Sequence, residues 1–267
     1  MVVGVIALLV GLLVPAVQVV QRNSRATVSM ANLKQWGTGT IMYADQRKGR
    51  LPWEGRKSTG DMATNLAEPT YWATAVPPLL GLPSYSQVIA EAMNSGLSVP
   101  VAPHGSSMFV DPGAVAEPGA PWEFGPVEAN GQRRAYFFNY VPNSQLNNTY
   151  IAQSGQTQNL PKLAMPLASI TDPSSTILML EMRSSKSELP SSDPHFDLDL
   201  DRHRADWKRF AARHNFGGHI LFADNHVAHK INRDVITNAG GGTAATPGSD
   251  WNKPGLIWDP LGPATDG

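Results

Sequence analysis

The feature that most constrains this chain is its amino-terminal run of 21 residues, none of which carries a charge. Residues 2–17 read VVGVIALLVGLLVPAV. A helix rises about 1.5 Å per residue, so about 20 apolar residues cover the roughly 30 Å hydrocarbon layer of a bilayer. A helix also satisfies its own backbone polar groups, as lipid requires. The run therefore predicts a transmembrane helix over residues 1–21.

Two other interpretations of this run are a cleaved secretory signal and a buried core helix. A secretory signal begins with a basic segment and ends at a small-residue cleavage site, and the run has neither. A core helix would need apolar cover on every face. Arg22 and Arg25 follow the run, and by charge bias alone they would hold that flank in the cytoplasm, although this bias is weak for large translocated domains. We favour a retained span.

The helical pattern continues beyond the apolar run and predicts a single helix to residue 48. Gly49 and Pro52 provide the stop signal, because glycine adopts the left-handed conformation and proline cannot continue the hydrogen-bond ladder. Residues 22–48 form the amphipathic half, with Asn32 off the apolar stripe. Pro15 is expected to bend or locally melt the helix. The stripe comprises Met30, Leu33, Gly37, Ile41 and Ala44, widened by Trp36 and Tyr43.

The remaining residues, 49–267, are predicted to form a globular head. Only 16% of the chain is charged, against about 25% in a typical domain, and it contains 24 glycines and 22 prolines. This composition favours a loop-rich head, with a large loop insertion that includes one helix, a sheet and a carboxy-terminal tail. The insertion is residues 50–130 with its helix at 85–94, the sheet is 133–231 with strands at 134–141, 176–182, 219–223 and 226–231, and the tail is 232–267.

The last two strands are predicted to form a hairpin with Asp224 and Asn225 as a two-residue turn. This loop pairs Ala223 with His226, Phe222 with Val227 and Ile220 with His229. It places an apolar set on one face, which we expect to pack against the amphipathic helix. The predicted fold class is therefore α+β, a long amino-terminal helix packed on an antiparallel sheet. The apolar set is Ile220, Phe222, Val227 and Ile231.

Several motifs together resemble bacterial type IV pilin-like proteins and pseudopilins. The apolar helix contains PAVQ at residues 15–18 and continues as ANLKQ at 31–35. Near the other end, His214 is followed after nine residues by Asp224, similar to the H-x9-D-G signature of the large branch of unknown function (DUF1559-type) with a prepilin-type methylation segment. Asn225 stands where that signature has glycine, and both residues suit a left-handed turn. Residues 170–174, ITDPS, are also similar to that branch.

The resemblance implies a pilin-like fold and a structural role. Such a chain would be a subunit of a type IV pilus-like or type II secretion pseudopilus filament. It would be anchored in the bacterial inner membrane by one span, with its head on the periplasmic or extracellular side. Its partners would be lipid and identical or related subunits. The family's basic leader, cleavage-site glycine and early glutamate would all fall before Met1.

The alternative is a membrane-anchored envelope binding protein that uses a pilin-type anchor. Its sequence argument is that Trp53, Trp72 and Trp122 line a ligand groove. A nucleic-acid partner is not expected, because 21 basic and 22 acidic residues give a net charge of −1.

No pattern in the sequence predicts an enzyme or a required cofactor. The chain has no cysteine and no G-x-S-x-G nucleophile motif. Calcium is one hypothesis for the alternating Asp197, Asp199 and Asp201, and a solvated, salt-bridged loop is the other. His219 and His226 are predicted to share a face, and this pair is read either as a metal site with Asp224 or as part of an exposed polar face.

Overall fold

The computed structural model describes residues 2–55, 62–94, 108–114, 123–127, 133–135, 139–146, 164–198, 200, 203–238 and 251–260. The fold is α+β, as predicted. The helices are α1 (Val2–Gln46), α2 (Met62–Ala67), α3 (Trp72–Ala75), α4 (Tyr85–Asn94) and α5 (Asn232–Ile236). The strands are β1 (Glu123–Val127), β2 (Arg133–Ala135), β3 (Tyr140–Pro142), β4 (Ile177–Glu181), β5 (Gly217–Phe222) and β6 (Val227–Ile231). Helix α4 matches its prediction.

Helix α1 is one continuous helix of 45 residues, and Pro15 lies inside it without interrupting it. Gly49 ends it as predicted, with a φ of 77° and its N–H donating to the carbonyl of Ala44 at 2.8 Å. Glycine adopts this conformation without the strain that a Cβ atom would add, which explains the stop at this position. Lys48 also lies in the left-handed region, with a φ of 56°.

The side chains described in the first half of α1 have different surroundings from those of the second half. From Ser29 onward the helix buries one side against the sheet, and Leu33 and Trp36 have no exposed area. Every described side chain from residue 11 to residue 25 is exposed. The large apolar ones are Leu13, Val14, Val17, Val19 and Val20.

The membrane span was predicted for residues 1–21. Within it, the side chains of residues 1–10 and 12 lie outside the described set. Within the part of the chain that is described, no helix combines the length and the apolar character needed to cross a bilayer.

The buried side of α1 differs from the predicted stripe in two places. Asn32, predicted to lie off the stripe, is buried, whereas Met30 is 38% exposed. The reason is polar: the Asn32 amide donates to the hydroxyl of Tyr140 at 3.4 Å. Hydrophobic periodicity could not locate a helix face that is held partly by hydrogen bonds.

The main sheet has four antiparallel strands in the order β3-β4-β5-β6. Strands β1 and β2 form a separate antiparallel pair. The strand predicted over 134–141 is therefore wrong as a single element, since its start belongs to β2 and its end to β3, with residues 136–138 outside the description. Strand β1 also lies within the predicted loop insertion, where no strand was expected.

The hairpin between β5 and β6 has a different turn from the one predicted. Leu221 pairs with Val227 and His219 with His229. The loop has three residues, because Phe222 donates its N–H to the carbonyl of His226 at 2.9 Å. Asn225 has a φ of 71°, so it occupies the left-handed position that closes such a loop.

This one-residue change in register reverses the predicted faces of β5, while Val227, His229 and Ile231 of β6 keep the helix-facing side that was predicted for them. Leu221, Val227 and His229 share the face toward α1, while Ile220 and Phe222 point to the other side of the sheet. Helix and hairpin approach closely, because a Cβ built on Gly37 would lie 2.8 Å from the Leu221 side chain. The prediction that the helix covers Ile220 and Phe222 is wrong.

The far side of the sheet is covered as well, and β4 and β5 are buried along their whole length. The carboxy-terminal segment pairs with the start of β4, since Ile177 donates its N–H to the carbonyl of Ile257 at 2.9 Å. Trp207 stacks on Trp251 with ring centroids 4.2 Å apart, and Trp258 contacts Trp207 edge-on. The tail thus completes the core.

Candidate functional site

A row of polar side chains crosses the face of the sheet that α1 covers. Strand pairing places Tyr140 opposite Glu181 and His219 opposite His229. His219 joins the two pairs, because its Nδ1 lies 2.6 Å from Glu181 Oε1. Tyr140, Glu181 and His219 are all at least 98% buried. Such a row is unusual at a helix–sheet contact, where apolar side chains are the rule.

Glu181 is at the centre of this row. Its Oε1 accepts hydrogen bonds from Ser29 of α1 and from the ring of His219. Its Oε2 accepts no hydrogen bond from any residue in the described part of the chain, and lies 3.7 Å from His214 Nε2. A buried carboxylate oxygen without a donor is costly, so this atom marks the place where a ligand is expected.

His214 approaches the same point from the loop before β5. Its Nε2 lies 2.7 Å from Asp111 Oδ2, and its main chain pairs with Gly217. Burial alone would lower the pKa of His214, but the hydrogen bond to Asp111 and the charges of Glu181 and Asp111 outweigh burial and raise it. Burial raises the pKa of Asp111, and the opposing effects of Arg213 and His214 are larger, so that its pKa is well below the usual value. Asp111 is therefore a carboxylate at neutral pH.

The charges of this region do not balance on their own. Arg213 contacts Glu188 at 3.0 Å, and this buried pair is neutral. Asp111 and Glu181 remain as two further buried carboxylates, with Arg213 Nη1 3.9 Å from Asp111. The pKa of Tyr140 is raised mainly by burial, and these two negative charges raise it further. Positive charge from imidazolium groups or from a bound cation is needed to offset them.

The cluster opens to a cleft of about 790 Å³ beside the first exposed part of α1. Its lining includes His214, His219 and His229 from the head and Arg22 and Arg25 from α1. The donor atoms of Glu181, His214 and His219 all lie within 4.8 Å of one another. These three residues form the candidate site, and the cleft connects it to solvent.

The H-x9-D residues are in different places. His214 belongs to the buried cluster, whereas Asp224 lies in the exposed hairpin loop. Asp224 Oδ1 accepts a hydrogen bond from the His226 N–H at 3.0 Å and lies 2.6 Å from its ring Nδ1. Asn225 takes the left-handed position there, and Lys34 of α1 donates a hydrogen bond to its carbonyl. Asp224 and Asn225 thus shape the turn that α1 contacts.

The prediction that His219 and His226 share a face, on which their interpretation as a metal pair depended, is wrong. The observed register puts His219 on the buried face and His226 on the opposite one. Of the predicted calcium ligands, Asp197 is exposed and contacts Lys186 at 3.1 Å. Asp199 and Asp201 lie outside the described residues, so calcium binding there stays a prediction.

Two of the three tryptophans proposed to line a groove are core residues instead. Trp53 and Trp72 are 5% and 2% exposed and belong to one hydrophobic cluster with Trp36. Trp122 lies outside the description. The sequence argument for a tryptophan-lined binding groove is thereby weakened.

Sequence reasoning missed Glu181, Asp111 and Ser29 as site residues. The available signal was the segment TILMLEM, in which Glu181 is the one charged residue of a strand that is otherwise apolar. A charge inside a fully buried strand needs a partner, and that rule would have selected Glu181. Asp111 and Ser29 are far from it in sequence and carried no comparable signal.

No family model, curated protein sequence or solved structure matches this chain.

Proposed function

We propose that this chain is the structural subunit of a pilus-like or pseudopilus-like filament, held in the bacterial inner membrane before assembly. The observation that carries the proposal is the exposure of the apolar side chains that are described in the first half of α1, from Leu13 to Val20. Leu13 is 62% exposed and Val20 is 67% exposed, on a helix whose second half is firmly packed. Apolar side chains exposed in this way require a partner that the described part of the head does not supply.

Two successive partners suit such a helix. Before assembly the bilayer surrounds the apolar residues, together with the uncharged run at 1–21 that precedes Arg22. On assembly, the same surface packs against identical or related helices, which exclude water equally well. The heads then form the outside of the filament, on the periplasmic or extracellular side. The work of the subunit is mechanical and needs no catalytic residue.

A membrane-anchored binding protein is the second candidate, and the cleft beside α1 is the observation that favours it. The cleft is lined by Arg22, Arg25 and three histidines, a surface able to hold a small anion. It differs from the tryptophan groove that the sequence suggested. Assembly into filaments distinguishes the two candidates, because a binding protein has no need of it.

A single charge in the exposed apolar helix tests the proposal. We expect Leu13→Asp to abolish recovery of the chain in sheared, sedimentable filaments from cells that express it at its own locus. An aspartate at the centre of a membrane helix costs about 2.5–3.5 kcal/mol, and it is equally unfavourable between packed apolar helices. The measurement is immunoblotting of the filament and membrane fractions.

The matched control is Phe216→Asp, which places the same charge at an 81% exposed apolar position on the head. Phe216 has a φ of 61°, which aspartate tolerates, so the fold should be kept. This variant should assemble like the original chain. If the original chain never enters the filament fraction, or if Leu13→Asp enters it normally, the proposal is wrong.

A further inference from the structure

We infer that Glu181, His214 and His219 bind one divalent transition-metal ion between α1 and the sheet. The inference concerns the head alone and holds whether or not the chain assembles into filaments. It starts from the buried Glu181 Oε2, which accepts no hydrogen bond from a described residue although Oε1 of the same group accepts from two donors.

The spacing of the donor atoms is close to that of a metal site. Two donors bound to one tetrahedral zinc at about 2.0–2.1 Å lie roughly 3.3 Å apart. His214 Nε2 and Glu181 Oε2 are 3.7 Å apart, and the donor atoms of all three residues lie within 4.8 Å of one another. The spread of the three donor atoms exceeds the tetrahedral spacing by at most about 1.5 Å, which small changes in the side-chain torsion angles can remove.

The backbone holds the three residues from separate elements. Glu181 is the last residue of β4, His219 lies in the adjacent strand β5, and His214 lies in the loop that leads into β5. His214 is further fixed by the main-chain hydrogen bonds between His214 and Gly217, both 2.9 Å. A site on paired strands is preorganised, so binding requires little ordering of the chain.

Charge also favours a cation. With Arg213 paired to Glu188, the carboxylates of Asp111 and Glu181 leave two buried negative charges around the two imidazoles. A divalent ion neutralises them in one step. Asp111 lies 2.7 Å from His214 Nε2 and provides the second carboxylate next to the ion. Without a metal ion, the same positive charge has to come from the imidazolium forms of the buried histidines.

The donor set selects the class of metal. Two imidazole nitrogens with carboxylate oxygens suit zinc and similar first-row ions, whereas calcium and magnesium prefer oxygen donors alone. The cleft in front of His214 and His219 gives the ion a path from solvent. Bound there, it would link β4, β5 and the preceding loop directly beneath Ser29 of α1.

The test uses the full chain, purified in detergent and freed of metal with a chelator. Isothermal titration with zinc chloride should give one ion per chain with submicromolar affinity. Cobalt(II) chloride in place of zinc should give the visible absorption bands of a tetrahedral site with nitrogen and oxygen ligands. The inference would be overturned by these measurements on the original chain alone if zinc binding were substoichiometric or only millimolar. It would also be overturned if the cobalt spectrum were that of the hexaaquo ion.

Two near-isosteric variants locate the site, Glu181→Gln and His219→Gln. Loss of a group that merely supports a ligand costs about 10–100-fold in metal affinity, so loss of a ligand should cost at least about 100-fold. His226→Gln is the matched control in the same hairpin, because His226 is on the opposite face and its side chain is 44% exposed. Equal weakening by His226→Gln and His219→Gln would place binding at the hairpin turn and contradict the inference. Circular dichroism confirms that each variant is folded.

Discussion

Trp36→Ala is expected to lower the free energy of unfolding of the head by about 3–5 kcal/mol, the usual cost of truncating a large buried aromatic side chain. Trp36 has no exposed area. Its ring contacts Trp72 and Phe109 edge-on, with centroids 5.0 and 5.4 Å away. Its indole N–H donates to the carbonyl of Met108 at 2.6 Å, and the variant leaves that carbonyl without this donor. Urea unfolding of the full chain in detergent, followed by circular dichroism, measures the loss.

Met42→Ala is the control on the same helix. Met42 is 37% exposed, so its truncation should change the free energy of unfolding by about 0.5 kcal/mol or less. Similar losses for the two variants would mean that the second half of α1 does not dock through Trp36. The comparison isolates the docking contact, because both substitutions favour the helix itself.

Asp111→Ala is the second large effect, and its cause is electrostatic. Asp111 contacts the Nε2 of His214 at 2.7 Å and the Nη1 of Arg213 at 3.9 Å, and all three side chains are buried. Removing one partner of a buried ionic group costs about 3–5 kcal/mol, since the remaining charges lose their counter-charge in a low-dielectric setting. The same urea titration measures the change in the free energy of unfolding.

Asp197→Ala is the matched control for Asp111→Ala. Asp197 pairs with Lys186 at 3.1 Å, but its side chain is 84% exposed, and exposed pairs contribute only about 0.2–1 kcal/mol. Equal effects of the two substitutions would show that Asp111 is solvated and that the buried cluster does not exist as described.

Elements with a strong local signal could be predicted from the sequence. The extent of α1 followed from its apolar repeat and from Gly49, and the strand Ile177–Glu181 followed from an apolar run after a turn. Helix Tyr85–Asn94 was found in the same way. In each case residues close in sequence decide the conformation, so reading along the chain is enough.

Features decided by distant contacts could not be predicted. A left-handed Asn225 is compatible with both a two-residue and a three-residue hairpin loop. The pairing register of β5 and β6 depends on which of the two loops forms. Asn32 looked solvent-facing because its partner, Tyr140, is 108 residues away. The cluster of Glu181, His214 and His219 arises from the same kind of long-range pairing. His214 was singled out only through the H-x9-D pattern, and the pattern's other residue, Asp224, lies in the exposed hairpin loop.

The central claim is that exposed apolar helices of many copies pack together in an open, repeating array. The chain has no cysteine, so engineered pairs report on this directly. In an open array, the contact between neighbouring copies joins a residue of one copy to a different residue of the next copy. Two cysteines per chain, placed at such a pair of positions, would therefore crosslink the copies into multimers of increasing length. Variants that combine Leu13→Cys with Val17→Cys, Val19→Cys or Val20→Cys should, in at least one case, give a ladder of oxidised multimers in the cell envelope. Monomers alone, or dimers and nothing larger, in all three variants would contradict the claim.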